Sequence, residues 1–260
     1  MYRALHTGRT GMKAYQDKLD VVSNNLANSQ TDGYKKIETD FVSLLKDSIR
    51  GQFANASENA EGTILMGTGV KTDNTYRVLD QGILVGEENP MTLALEGQGF
   101  FGLENESGDL LLTRDGHFGI SAEGGIVNGN GFLVNLKDSE SLEGLMPDQI
   151  EISGGGEIFS TFEDGERKSM GKLRIYKVSS PEVLTDAGNG CFMAGEEYVE
   201  EIEFDENSET VVRQGYTEKS NVDIGQEMID MMISQRAYQM NARAVQSADD
   251  MWSLINNIKR

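Results

Sequence analysis

Apolar positions in the first 28 residues fall on one stripe. Leu5, Gly8, Met12, Tyr15, Leu19, Val22 and Leu26 step by three and four without interruption, the seam of a helix that pairs with another over three heptads. The spacing predicts a helix over residues 3–28, with Gly8 its weak member and Gly11 off the seam. It runs into the stretch SNNLANSQTDGYKK at 23–36. Asparagine forms helix poorly and turns well. Asn24, Asn25 and Asn28 are therefore expected to end the helix by capping free carbonyls or turning left-handed, with Thr31-Asp32-Gly33 as the following turn.

A second helix is expected from about Asn221 to the C-terminus, with Ser220 or Asn221 as its N-cap and Asp223 and Glu227 near the positive end of its dipole. It carries two apolar stripes. Met228, Met231, Gln235, Tyr238, Ala242, Val245, Asp249 and Trp252 make one; Ile229, Ile233, Met240, Ala244, Met251, Ile255 and Ile258 make the other. A helix apolar on two faces needs cover on two faces, and the N-terminal helix supplies only one.

Between the helices the period shortens to two. From about residue 75, short apolar runs alternate with Ser-Gly, Asp-Gly, Gly-Gly and Asn-Gly pairs, which are hairpin signals. KLRIYKVSS at 172–180 reads as one more strand. Residues 37–49 read either as more helix or as a pairing arm. The expectation is an α+β protein, a mainly-β centre bracketed by N- and C-terminal helices that pair as a coiled-coil-like unit. The boundaries are residues 1–35 for the first helix, 36–75 for an arm, 76–215 for an acidic β-rich outer domain and 216–260 for the closing helix.

Charge sharpens this division. The 260 residues carry a net charge of −20, which disfavours nucleic acid and anionic membrane as partners. Residues 1–36 hold six bases and three acids, residues 221–260 four bases and five acids, and residues 37–220 thirteen bases and 35 acids. The centre is built to be wetted, while the ends are near neutral, as surfaces that meet each other should be. One cysteine, Cys191, leaves no intrachain disulfide and no thiolate metal cluster. No cleavable signal peptide and no spanning segment are read from the sequence.

Chemistry is sparse. His6 lies beside the helical seam and His117 follows the Asp-Gly pair of TRDGHFG; no Ser-His-Asp or Cys-His set is evident. The glycine-rich pieces at 67–70, 96–102 and 153–157 lack the Lys-Ser/Thr end of a phosphate loop. Asp205, Asn207 and Glu209 have calcium-like spacing, but Thr210 and Tyr216 stand where an EF-hand needs glycine and glutamate. No catalytic residue, cofactor or metal site is assigned. The remaining readings are a β-domain enzyme built around Arg114, Asp115 and His117, a binding module, or an assembly subunit. The methionines of the last helix favour a helix face that meets other chains.

Four motifs, in order, resemble one family. SNNLANSQTDGYKK resembles the N-terminal signature of the bacterial flagellar basal-body rod and hook proteins. NPMTLALEGQGFF and LTRDGHF are similar to two of their central stretches. EKSNVDIGQEMIDMMISQRAYQMNARAVQSADDMW resembles their C-terminal signature, with Ser247 where threonine is usual. Within the family, the length and the segment GTGV…DQGILVGEENPMTLALEGQGFF are most similar to rod members, those of the distal rod above all. The resemblance implies export through the type III apparatus without signal cleavage, residence in the flagellar basal body, and self-assembly into a helical tube that transmits torque and passes later subunits. Other rod and hook axial proteins, rings around the rod and the export apparatus are the implied partners; nucleic acid and small-molecule substrates are not. It also implies an inner layer in which Leu5, Met12, Tyr15, Leu19, Val22 and Leu26 lie against Met228, Met231, Tyr238, Val245 and Trp252. The junction motif is then Asn24, Asn25, Asn28, Thr31, Gly33 and Tyr34, and the C-terminal motif Ser220, Asn221, Val222, Gln235, Arg236, Tyr238 and Asn241.

Overall fold

The computed structural model describes residues 2–44, 46–49, 64–105, 107–138, 146–161, 167–202, 204 and 210–258; the calcium-like stretch at 205–209 lies outside them. The chain forms two compact units, each assembled from separate stretches. Residues 1–26, 37–75 and 224–260 make the helical unit, and residues 27–36 and 76–223 the β unit. This division differs from the expected boundaries. The arm belongs with the helices, whereas the asparagine-rich exit and residues 216–223 belong with the β unit.

In the helical unit, helix α1 spans Tyr2–Ala27 and helix α2 spans Ile224–Ile258. Helix α2 starts three residues later than Asn221 because that side chain is engaged elsewhere, as shown below. Residues 37–49 are not helical. Ile37–Ser43 pairs with Val70–Arg77, and Lys46–Ile49 with Ile64–Gly67. The β-branched and aromatic content of IETDFVS suits a strand better than a helix. This arm packs on α1. The Tyr15 ring lies 5.3 Å from that of Phe41, Thr72 donates to Asp17 at 2.7 Å, and the His6 ring meets the Thr68 carbonyl at 3.2 Å.

The β unit is antiparallel in every described strand pair that sets its register. Strand Phe100–Glu104 is its hub, paired with Leu110–Thr113 on one edge and with Leu133–Val134 and Ile175–Val178 on the other. A second, four-stranded sheet joins Leu136–Lys137, Arg167–Leu173, Glu157–Thr161 and Ile150–Ile152. Leu93, Leu95, Phe101, Leu103, Ile158 and Ile175 fill the space between the strands and are almost wholly buried. Phe101 meets Phe118 edge-on, with ring centroids 5.2 Å apart, a favoured aromatic geometry. The Asp115-Gly116 pair departs from its hairpin expectation. A Cβ on Gly116 would fall 1.5 Å from the Leu93 carbonyl oxygen, so this glycine permits backbone contact with a neighbouring strand.

Phe101 sits at 0% exposure where three strands meet. Phe101→Ala should therefore cost about 3–5 kcal/mol, read as a lowered urea midpoint of the β unit.

Candidate functional site

Helices α1 and α2 run antiparallel, in one register along their length. The Tyr2 and Trp252 rings meet edge-on at 5.4 Å. A Cβ on Gly8 would lie 2.7 Å from Val245 Cγ2, and one on Gly11 would lie 3.0 Å from the Asn241 side chain. Near the far end, Asn25 Nδ2 donates to Glu227 at 3.2 Å. The helices touch where α1 has no side chain. Gly8 and Gly11 are thus part of the contact, one expected as the weak member of the seam and the other off it.

On α2 the residues that meet α1 are Glu227, Asn241, Val245 and Trp252, and helical spacing puts Met231, Ser234, Tyr238 and Ala248 on the same stripe. Glu227, Ser234 and Ala248 are buried, and all the others but Tyr238 are half-buried. Of the expected seam, Val245 and Trp252 meet α1 and Met231 is half-buried. Met228, Gln235 and Asp249 are exposed instead. Large apolar side chains signal a seam in sequence, but a close approach selects small and polar ones at alternate positions. On α1, Val22 is buried, and Leu5, Met12, Tyr15, Leu19 and Leu26 are half-buried. Tyr15 is turned to the arm.

Among the described residues, the other face of α2 is uncovered. Met240 is 70% exposed, Leu254 63% and Ile233 57%, and Met228, Ile229, Met232, Met251 and Ile255 are exposed beside them. Arg236 is exposed as well.

The three asparagines of the exit have separate duties. Asn25 lies within α1, 1% exposed. Its amide accepts from Ile37 N and donates to Ile37 O, both at 2.9 Å, as a strand neighbour would. Asn28 follows the helix and accepts from the Thr31 hydroxyl at 3.2 Å and from Thr31 N. Asn24 is exposed. Gly33 takes φ +70°, and a Cβ there would come within 2.5 Å of Asp115 N. Its N–H donates to the Glu218 carbonyl at 2.7 Å, and Tyr34 N donates to Thr31 O. Gly33 is therefore a packed member of the β unit as well as a bend, so a side chain there strains the β unit itself.

Asn221 stitches the same region. Its Nδ2 donates to the Val78 and Asp80 carbonyls, and its Oδ1 accepts from Lys36 N at 2.7 Å. With its amide so engaged, it does not cap α2. Ser220 accepts from Val222 N at 3.4 Å. Two sequence-distant stretches are thereby held side by side at the base of the β unit.

A buried charge cluster underlies them. Glu218 accepts from Lys35 Nζ at 2.7 Å and from Arg114 Nη1 at 2.9 Å, with all three side chains 1–2% exposed. Gly82 N also donates to Glu218, Lys35 to the Asp80 carbonyl, and Arg114 to the Gly97 carbonyl. Burial alone pushes the Glu218 carboxyl up, but the Arg114 and Lys35 charges outweigh it and hold the group below its ordinary value. Burial, with Arg114 beside it, lowers Lys35. Two cations share one anion, so each depends on Glu218. Neither Arg114 nor Glu218 carries a local signal of this role, because their partners come from three remote segments.

His117 is the other charged centre. Its Nδ1 meets Asp115 at 2.6 Å, and its Nε2 faces Glu87 at 3.5 Å and Asp32 at 3.8 Å. Burial favours the neutral ring, but the hydrogen bond to Asp115 and the charges of Asp115, Glu87 and Asp32 prevail and raise its pKa. Arg114 lines a cavity of about 260 Å³, yet both of its terminal nitrogens are bound within the fold. Burial, reinforced by Asp115 and Asp186, pushes the Cys191 thiol up to about 11, so it is no nucleophile at neutral pH. Among the described residues, no helix is long and apolar enough to cross a membrane.

Gly8→Leu improves helix propensity but should weaken the helix pair by about 1–3 kcal/mol through overpacking, seen as earlier urea unfolding in Trp252 fluorescence. Glu218→Gln strands two buried cations and should cost about 3–5 kcal/mol at neutral pH. Because the folded state holds Glu218 below its ordinary 4.5, that contribution is present above pH 4.5 and vanishes as pH falls through the folded value. The gap between wild type and Glu218→Gln should therefore stay constant from pH 7 down to pH 4.5 and close only below it, in chemical denaturation at each pH.

Three family descriptions match this chain in order. Residues 5–35 match "Flagella basal body rod protein", residues 94–166 "Flagellar hook protein FlgE/F/G D1 domain", and residues 213–258 "Flagellar basal body rod FlgEFG protein C-terminal". The flagellar basal-body rod protein FlgG of Borreliella burgdorferi is 33% identical over 265 residues, covering all of both chains. That of Agrobacterium fabrum is 33% identical over 268 residues, covering 99% of this chain and all of the relative. The flagellar hook-basal body complex protein FlhP of Bacillus subtilis is 28% identical over the whole of both chains. With helices from both termini forming one unit, and full-length similarity at this level, the chain belongs to the family of flagellar basal-body rod proteins.

Proposed function

We propose that this chain is a structural subunit of the flagellar basal-body rod, most like the distal rod proteins. In this reading it stacks into a helical tube that transmits torque and lets later exported subunits pass. The uncovered apolar face of α2 carries the reading. Met240, Leu254 and Ile233 lie open on a helix whose other face is already paired. Apolar surface of this extent marks a contact with another molecule. A face that meets a different face on the next copy produces an open helix and not a closed ring.

The inner layer would be built from Leu5, Met12, Leu19 and Leu26 with Met228, Met231, Tyr238, Val245 and Trp252, extended by the open face. Gln235 and Arg236 of the C-terminal motif would lie at its edge. The junction motif from Asn24 to Tyr34 would carry the chain from that layer outward, and the acidic β unit would face solvent. Stiffness under torque follows from dense packing, since close-packed interfaces yield little. Other axial proteins and the export apparatus are the partners this role requires. The role is mechanical and non-catalytic, in keeping with an Arg114 and a Cys191 that are both consumed by the fold.

Ile233→Asp with Met240→Asp places two charges on the open face and leaves the α1–α2 seam untouched. The double variant should keep the wild-type circular dichroism and melting temperature, yet abolish motility and leave basal bodies without a complete rod in electron micrographs. Normal motility from it would refute an α2-centred inner layer.

A further inference from the structure

His117 Nε2, Asp32 Oδ2 and Glu87 Oε2 converge from three separate stretches of the β unit, all within 4.8 Å of one another. We propose that they form a binding site for a first-row divalent cation of the zinc class. The claim is independent of the rod function.

The spacings suit it. Two ligand atoms on a tetrahedral ion with bonds of about 2.1 Å stand roughly 3.4 Å apart. Nε2 lies 3.5 Å from Glu87 and 3.8 Å from Asp32, and all three ligand atoms lie within 4.8 Å of one another, so side-chain rotation alone brings them into range. The ring is already aimed. Asp115 takes Nδ1 at 2.6 Å, which leaves Nε2 as the outward ligand atom, the carboxylate–histidine arrangement that orients metal-binding imidazoles. The backbone is held by the Thr92–His117 bridge, and the Thr92 hydroxyl steadies the Glu87 oxygen at 3.3 Å.

Charge points the same way. Lys219 occupies Asp32 Oδ1 at 2.8 Å and leaves Oδ2 toward the ring. Three carboxylates and one ammonium around the ring sum to −2, the charge a dication neutralises when it takes Nε2 in place of a proton. One imidazole nitrogen with two carboxylate oxygens favours zinc-like ions over calcium or magnesium, which take oxygen donors alone. The three ligands are 22–38% exposed, so water completes the shell and the site stays open. A bound ion would clasp the exit at Asp32 to the strands beneath it.

The test is calorimetric titration of the full chain, freed of metal with chelator, using zinc chloride, together with ¹⁵N observation of the histidine rings. Expected are one dominant site per chain, a zinc-induced shift of His117 Nε2, and a raised melting temperature. His117→Ala and Glu87→Gln should each weaken binding at least tenfold. Asp115→Asn, which keeps every ligand, should weaken it about 10- to 100-fold. His6→Ala should change nothing. Should His117→Ala not fold, Glu87→Gln and Asp115→Asn carry the test. Several equal weak sites, affinity unchanged in Glu87→Gln, loss of binding in His6→Ala, or displacement of zinc by equimolar magnesium would each overturn the proposal.

Discussion

Two helices from opposite ends of the chain meet, and along part of that contact one of them has no side chains. Gly8 and Gly11 bring α1 so close to α2 that Val245 and Asn241 fill the space a Cβ would need. Every larger feature follows from that approach. The chain leaves the helical unit after Leu26, returns for residues 37–75, leaves again and comes back at Ile224, so the β unit is assembled from stretches inserted between segments of the helical one. The seam is also narrow, because small residues pack only a thin stripe. A 35-residue α2 that spends one thin stripe on α1 keeps the rest of its apolar surface for other contacts.

The inserted β unit solves the problem of its own ends with charge and amides. Lys35 on the outgoing stretch and Glu218 on the returning one form an ion pair within a cluster completed by Arg114. A buried ion pair adds little net stability over apolar packing, yet removal of one partner is costly. Such a cluster suits a place where register matters more than strength. Asn221 adds the same kind of specificity, since its single amide satisfies three backbone groups.

Legibility in the sequence varied with the range of the interaction. The helices, their period and the β texture between them could be read directly, because apolar spacing acts within a few residues. The acidic centre and near-neutral ends were equally open to reading. On the α2 seam the pattern points to Met228 and Gln235, which are exposed, while the neighbouring Glu227 and Ser234 are buried. The pattern rule weighs side-chain size, whereas close packing against glycine rewards its absence. Asn25 was read as a helix terminator and proves to be an interior residue that serves a strand edge. Its partner Ile37 is 12 residues away in the chain, beyond any capping rule.

By itself, then, the sequence determined two amphipathic terminal helices, a hairpin-rich acidic middle, and the signatures that connect the chain to the rod family. Each is a matter of local order along the chain. Only the tertiary structure decided which face of α2 is already taken, that residues 37–75 join the helices, that Glu218 serves two cations, and that Asp32, Glu87 and His117 share one corner. Those decisions depend on groups from 12 to 250 residues apart meeting in space, where steric fit and the cost of burying charge choose among partners that local pattern leaves equivalent.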